Sequence, residues 1–362
     1  MKKTLFTILC VCLLLGCVAC TKTENTIMTY KGAKAPESLY SYWMSTYKSV
    51  FLDSFNDGID SDEFWDMLIS DDMTYEEYIV DWINTEMKYR TVALKLFDEY
   101  GLELTDSTIE RIDADISEKL EYAESREELN TRLAKFNMNI DMLREVYIAN
   151  EKYESVREYL YGQGGEEAPT DKERAEYFAD NYYCLKYITI YSGVILKTDE
   201  SGAYVYDEDG QIELIKLDDE QKALKKKIID SIIAGVEAGG DFDEYMSEYS
   251  EVDYSEYPNG FFVSENDSSR LGGDIINAAK EINFGEIKVL SDENITYIVK
   301  KLDLPEYTSL TSSDKTQLED MDDYIIREKF AARFGEYAAD VVVNEELTKR
   351  YNIREISENS YF

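Results

Sequence analysis

The sequence predicts an α+β protein built as a helical half, a mixed sheet-and-helix module and a helical return. Three observations lead there. Capped segments with apolar residues at helical spacing fill roughly residues 36–180. From 183 the apolar period shortens to two. After Pro305 a long helical pattern resumes. The 362 residues suffice for two or more domains, and 44% hydrophobic residues support a packed core beside 31% charged ones.

The elements follow in order. Lys2 and Lys3 precede an apolar run, Thr4 to Leu15, too short to span a bilayer, which reads as a secretory signal. It ends in "LLGC", which resembles the lipobox of bacterial lipoproteins. That resemblance implies cleavage after residue 16 and lipidation of Cys17, with Cys20 in "CVAC" as the alternative. The signal is 1–16 and a polar tether is 17–35, including a short extended stretch, Thr26 to Tyr30. Cys17 and Cys20 form a CxxC, but their place in the signal region favours lipidation over redox chemistry. Cys184 is the one cysteine outside that region, so no disulfide framework is implied.

Ser38 opens a helix through Leu39, Trp43, Met44, Tyr47 and Val50. The acidic stretch "LDSFNDGIDSDEF" interrupts it. Thr74 and Glu77 form a capping box before a long amphipathic helix closed by Gly101. Ser107 with Glu110 and Ser125 with Glu128 predict two further capped helices. Another helix spans Asp141 to Leu160, and Thr170 with Glu173 caps a short one. Strands are expected at Lys186–Tyr191, Val194–Lys197, Ala203–Tyr206, Ile212–Leu217, Gly260–Val263, Ile287–Leu290 and Thr296–Leu302. Helices fall between them at Glu220–Ala238, Phe242–Ser250 and Gly273–Ile282. A final helix runs from about Asp314 to Asp340. In the strand "CLKYITI", Leu185, Tyr187 and Thr189 share one face, and Lys186, Ile188 and Ile190 the other.

Charge and composition exclude several function classes. With 38 Lys+Arg against 76 Asp+Glu the chain carries −38, which repels nucleic-acid phosphates. It contains no histidine, so no Ser-His or Cys-His pair and no His-containing zinc site is available. No Gly-rich phosphate loop occurs and no cofactor is expected. Asp53 to Phe64 has the length of a calcium loop. It places Phe55 and Phe64 where oxygen ligands are needed, and reads as a solvated acidic turn; no metal site is expected.

The segments "GGDFDEYMSEYS", "NGFFV", "IINAAKEINFGEI" and "ITYIVKKLD", with "LKYITI" before them, resemble in order the motifs of the parvulin family of peptidyl-prolyl isomerases. The match covers about 120 residues. Outside it, the lipobox, the helical N-terminal half and the returning C-terminal helix resemble secreted foldase lipoproteins of the PrsA and SurA type. The resemblance implies a helical chaperone-like domain at 36–180. It implies an inserted parvulin-like domain at 181–304 with an extra hairpin at 197–214. It also implies a C-terminal helix and tail, 305–362, that return to the helical domain.

The same resemblance places Tyr187 and Tyr297 where the family carries two histidines, and Leu271 and Ile275 where it carries a Met and a Phe. Asp253 is the nearest candidate for its acid. These departures predict a module of weak or no isomerase activity, with Tyr187 and Tyr297 filling the prolyl pocket. In the helical half, spacing places Trp43 and Trp82 in the core and leaves Trp65 as the candidate client contact. The implied function is an extracytoplasmic, membrane-anchored folding factor on the outer face of the bacterial cell membrane, holding unfolded or newly exported polypeptides. An active peptidyl-prolyl isomerase and a surface lipoprotein with one dedicated protein partner are the alternatives.

Overall fold

The computed structural model describes residues 25–56, 58–70, 72–207, 209–267 and 273–358. The signal segment, Cys17, Cys20 and Leu271 lie outside them. The strands in chain order are β1 (Thr26–Tyr30), β2 (Ala33–Pro36), β3 (Leu68–Ser70), β4 (Met73–Thr74), β5 (Tyr182–Ile190), β6 (Val194–Leu196), β7 (Leu214–Lys216), β8 (Phe261–Ser264), β9 (Ile287–Ser291), β10 (Thr296–Leu302) and β11 (Val342–Val343). Helices are named below by their ranges. The chain divides into two compact units, 25–168 with 327–358, and 169–326. Among the described residues no helix is long and apolar enough to cross a membrane.

The first unit is helical with a small sheet. Helix Glu37–Phe55 starts directly after Pro36, whose extended backbone ends β2. Helix Tyr75–Glu99 begins at the expected capping box: Thr74 Oγ1 accepts from the Glu77 N–H at 3.2 Å, and Glu77 Oε2 accepts from the Thr74 N–H at 3.0 Å. Helix Asp106–Tyr122 is capped by Thr105, which accepts from the Thr108 N–H at 3.1 Å. Ser107, expected as that cap, sits inside the first turn because Thr105 already satisfies the free N–H. Ser125 caps Arg126–Leu133 as expected, and Asn139 caps Ile140–Tyr161. Leu39, Met44, Ile83, Met87, Leu133, Leu143 and Val146 form the shared core, the apolar stripes of these helices turned inward.

Closing this unit requires the chain to return. β1 pairs antiparallel with β2 on one side and with β11 on the other, with Met28 opposite Val343. The tail then lies against helix Glu37–Phe55. The Lys48 side chain, 1% exposed, ion-pairs with Asp60 at 2.6 Å. It also donates to the carbonyls of Arg354 at 3.2 Å and Ile356 at 2.8 Å. Arg354 binds Asp62, Asp66 and Glu76.

The expected single helix from Asp314 to Asp340 is interrupted. Helix Ser312–Lys315 and a 3₁₀ turn at Thr316–Leu318 precede helix Met321–Ala338. Thr311 and Asp314 form their own capping box. Gln317 points back to β8, accepting from the Phe262 N–H and donating to the Gly260 carbonyl, both at 3.2 Å. That tie fixes the turn where continuous helix would have carried Gln317 away.

The second unit is a four-stranded antiparallel sheet in the order β8-β5-β10-β9. The face of β5 bearing Ile188 and Ile190 packs with Ile229, Ile232 and Phe242 of helices Asp219–Glu237 and Phe242–Tyr249. The face bearing Leu185 and Tyr187 packs with Ile275 and Ala279 of helix Gly273–Glu281. Gly260 lets β8 close on β5: at φ +97°, a Cβ there would lie 2.8 Å from the Leu185 carbonyl oxygen. The 197–214 insertion is folded back twice. β6 pairs with β7, and bridges Thr198–Tyr204 and Tyr206–Ile212 frame turns anchored by the Asp199 and Asp207 carboxylates. Helix Asp171–Asn181, placed by sequence in the helical half, belongs to this unit.

Lys48→Ala removes a buried cation and both tail hydrogen bonds. Discounted for the partial exposure of Asp60, the expected loss is about 3 kcal/mol. Denaturant unfolding should report it, with faster hydrogen exchange in residues 353–356. A loss under about 1 kcal/mol, the range of a surface pair, contradicts this role.

Candidate functional site

Two features carry the candidate chemistry, one in each unit. In the second, β5 and β10 are antiparallel neighbours with Tyr187 opposite Val299 and Tyr297 opposite Thr189. Tyr187 and Tyr297 are therefore diagonal on one face, within reach of aromatic side chains. Their rings meet edge to face at 6.0 Å. Tyr187 is 6% exposed. Its ring stacks on Phe261 at 4.8 Å and 23° and meets Tyr254 edge to face at 4.9 Å. Ile275, Leu185, Val263 and Val299 pack around it. The structure thus brings Tyr187, Ile275 and Tyr297 into one apolar cluster.

Asp253 stays outside this cluster. It is exposed, and its carboxylate accepts from the Ser255 N–H at 2.9 Å, a contact that holds its pKa below the usual carboxylate value. The next residue, Tyr254, turns inward instead, and its hydroxyl lies 2.7 Å from Thr189 Oγ1. Tyr254, Tyr257 and Phe261 are members that sequence reading missed. The "GFF" segment was the available signal, because a strand paired with β5 puts every second ring on the Tyr187 face.

Burial, and then the Tyr254 hydroxyl beside it, pushes the Tyr187 phenol well above its ordinary range. Burial likewise raises Tyr254 and Tyr297. A rigid arrangement of neutral hydroxyls can donate hydrogen bonds. A prolyl isomerase also needs apolar space in which the twisted amide binds better than the planar one. Here the Tyr187 ring lies among Tyr254, Phe261 and Tyr297.

In the first unit, aromatic rings run along helices Glu37–Phe55 and Tyr75–Glu99. Trp43 stacks on Tyr47 at 4.7 Å, Tyr47 meets Trp82 at 4.4 Å, Trp82 meets Phe51 at 5.3 Å, and Phe51 stacks on Phe55 at 5.8 Å. The Arg90 guanidinium lies 3.6 Å from the Trp43 ring and seals the inner end. Trp43 and Trp82 are half-buried in this series. At the outer end the apolar surface opens. Phe55 is 53% exposed and Leu68 63%, and Val50, Ile59, Met67, Ile69, Met73 and Tyr78 are exposed in the same stretch of chain. Hairpin β3–β4 joins this end through the Tyr75 N–H, which donates to the Met67 carbonyl at 2.9 Å.

Trp65, the candidate client contact, is 0% exposed. Its indole N–H donates to Asp60 at 2.7 Å and its ring packs against Phe64. The short helix Asp62–Asp66 turns Phe64 and Trp65 inward and leaves its carboxylates outside. The exposed apolar residues are its neighbours.

The tyrosine cluster has a pH signature. Each folded-state phenol is held above its unfolded value of about 10, so the stabilisation is present below pH 10. It is lost as the pH rises beyond that value. Alkaline unfolding followed by tyrosinate absorbance should therefore be cooperative above pH 10, and Tyr187→Phe should flatten the slope. Exposed tyrosines ionise first, so the decisive comparison is the native-state titration of the unmodified chain minus that of Tyr187→Phe; a difference with an unshifted midpoint contradicts the buried arrangement.

No protein-family model and no curated protein matches the chain. Among solved structures, the chain is similar to the foldase protein PrsA from Streptococcus pneumoniae, at 15% identity over 78% of this chain and 97% of that one, with a TM-score of 0.23. It is also similar to PrsA from Bacillus subtilis, at 14% identity over 79% and 93%, TM-score 0.23. The foldase protein PrsA from Lactococcus lactis aligns at 12% identity over 90% and 98%, TM-score 0.26.

Proposed function

We propose that the protein is an extracytoplasmic, membrane-anchored folding factor that holds non-native polypeptides on the exposed aromatic end of its first unit. The observation that carries this reading is the concentration of exposed apolar side chains in the segment from Val50 to Tyr78, with Phe55 and Leu68 among the most exposed. Exposed apolar side chains gathered in one segment are the feature by which protein and membrane contact sites are recognised. Aromatic and methionine side chains suit many clients, since they supply large contact area with little sequence demand. Supporting the same reading, the sequence motifs resemble those of secreted foldase lipoproteins. The net charge of −38 keeps the protein soluble when apolar clients are bound.

The sheet module acts in this reading as a binding platform or spacer, with weak or no isomerase activity. The support is local: the Tyr187 ring lies among those of Phe261, Tyr254 and Tyr297, on the face where the resemblance to parvulins places the prolyl pocket. Lipidation at Cys17, or at Cys20, provides the anchor. Cys17→Ala should then release the protein from the membrane fraction if Cys17 is the acylated residue, and Cys20→Ala should do so if the alternative holds.

The full chain should suppress aggregation of several unrelated denatured proteins diluted into buffer. Phe55→Ser with Leu68→Ser should weaken client binding by a factor on the order of 10, since central aromatic and aliphatic contacts dominate such surfaces. Suppression confined to one client supports the dedicated-partner alternative instead. In a proline-peptide assay the rate should stay near background. A clear rate that drops in Tyr187→Phe and Tyr297→Phe contradicts the inactive module.

A further inference from the structure

Between Lys48 and Lys88 lie 39 residues with twelve Asp and Glu and not one Lys or Arg. At the average of the chain, about four cations belong in a stretch of that length. The general acidity does not account for their absence. This is the same stretch that exposes Val50, Phe55, Ile59, Met67, Leu68, Ile69, Met73 and Tyr78. The apolar surface and the cation-free stretch are therefore one region.

Cations reach this region from outside it in two ways. Lys48 is buried against Asp60, and Arg354 binds Asp62, Asp66 and Glu76. Among the described residues no ion pair joins a Lys or Arg to Asp53, Glu63, Asp72 or Asp81, all of which are exposed. Helical spacing sets Glu63 one turn from Met67 and Asp81 one turn from Tyr78, whereas Asp53 lies on the side of helix Glu37–Phe55 opposite Phe55. Asp72 sits at the turn between β3 and β4. Glu63, Asp72 and Asp81 thus each neighbour an exposed apolar residue.

We propose that the occupant of this surface is an unfolded polypeptide segment whose apolar residues are flanked by Lys or Arg. The proposal rests on the client-holding reading above and specifies its client class. Apolar contact provides the affinity, and the neighbouring carboxylates provide the selection. An acidic segment brings like charges to these carboxylates and is rejected. A second copy of this chain, at −38, is disfavoured on the same ground.

Two fluorescent peptides with one apolar core, flanked by lysines or by glutamates, test this on the full chain. The lysine peptide should bind at least about 10-fold tighter at low salt, and the difference should shrink as salt screens these carboxylates. The combined variant Glu63→Gln, Asp72→Asn and Asp81→Asn should narrow the difference more than neutralising three exposed carboxylates of the second unit does, while leaving binding of the apolar core. An equal effect of the two variants, or a preference that salt leaves unchanged in the unmodified chain, overturns the proposal. Equal binding of both peptides, lost in Phe55→Ser with Leu68→Ser, also overturns it but leaves the client-holding reading standing. Binding of neither peptide, with no suppression of aggregation, overturns both.

Discussion

The second unit depends on how the Tyr187 ring is buried. β5 is covered on both faces, so each of its inward side chains must be filled around. Phe261 supplies a parallel ring, Tyr254 and Tyr297 supply edges, and Ile275 and Val299 supply aliphatic contact. Apolar burial and ring geometry favour the same arrangement. The cluster consolidates the sheet, and its rings occupy one another's faces and edges.

There, the controlling fact is that the core is made by two distant parts of the chain. β11 adds to β1, and the tail carbonyls of Arg354 and Ile356 accept from Lys48. Arg354 then holds the carboxylates of helix Asp62–Asp66 and of Glu76. These contacts tie down the helix that precedes hairpin β3–β4. A set of exposed apolar side chains can serve as a lasting surface only when the backbone beneath it is fixed, and the returning tail helps fix it.

What was legible in the sequence was local. Thr74 with Glu77 and Thr170 with Glu173 form the capping boxes read from their spacing, because a capping box spans four residues. β10 occupies Thr296–Leu302, the range its alternation predicts, and the two faces of β5 are those read from period two. The missing parts depend on choices between nearby rivals or on contacts with distant residues. Thr105 prevails over Ser107 by two positions. The break after Lys315 needs Gln317 to find the backbone of Gly260 and Phe262. Trp65 sits in an acidic segment that reads as exposed, yet Phe64 and Asp60 bury it. Tyr254 beside Tyr187 depends on the course of a loop that no periodicity describes.

The central claim is that non-native polypeptides bind at the acidic aromatic end of the first unit and not at the tyrosine face of the sheet. Photo-crosslinking tests it most directly, with a reactive side chain placed at exposed Leu68 in one protein and at Tyr297 in another, each mixed with a denatured client. The account predicts client adducts from position 68 and few from position 297. Strong adducts from position 297 with none from position 68 would contradict it.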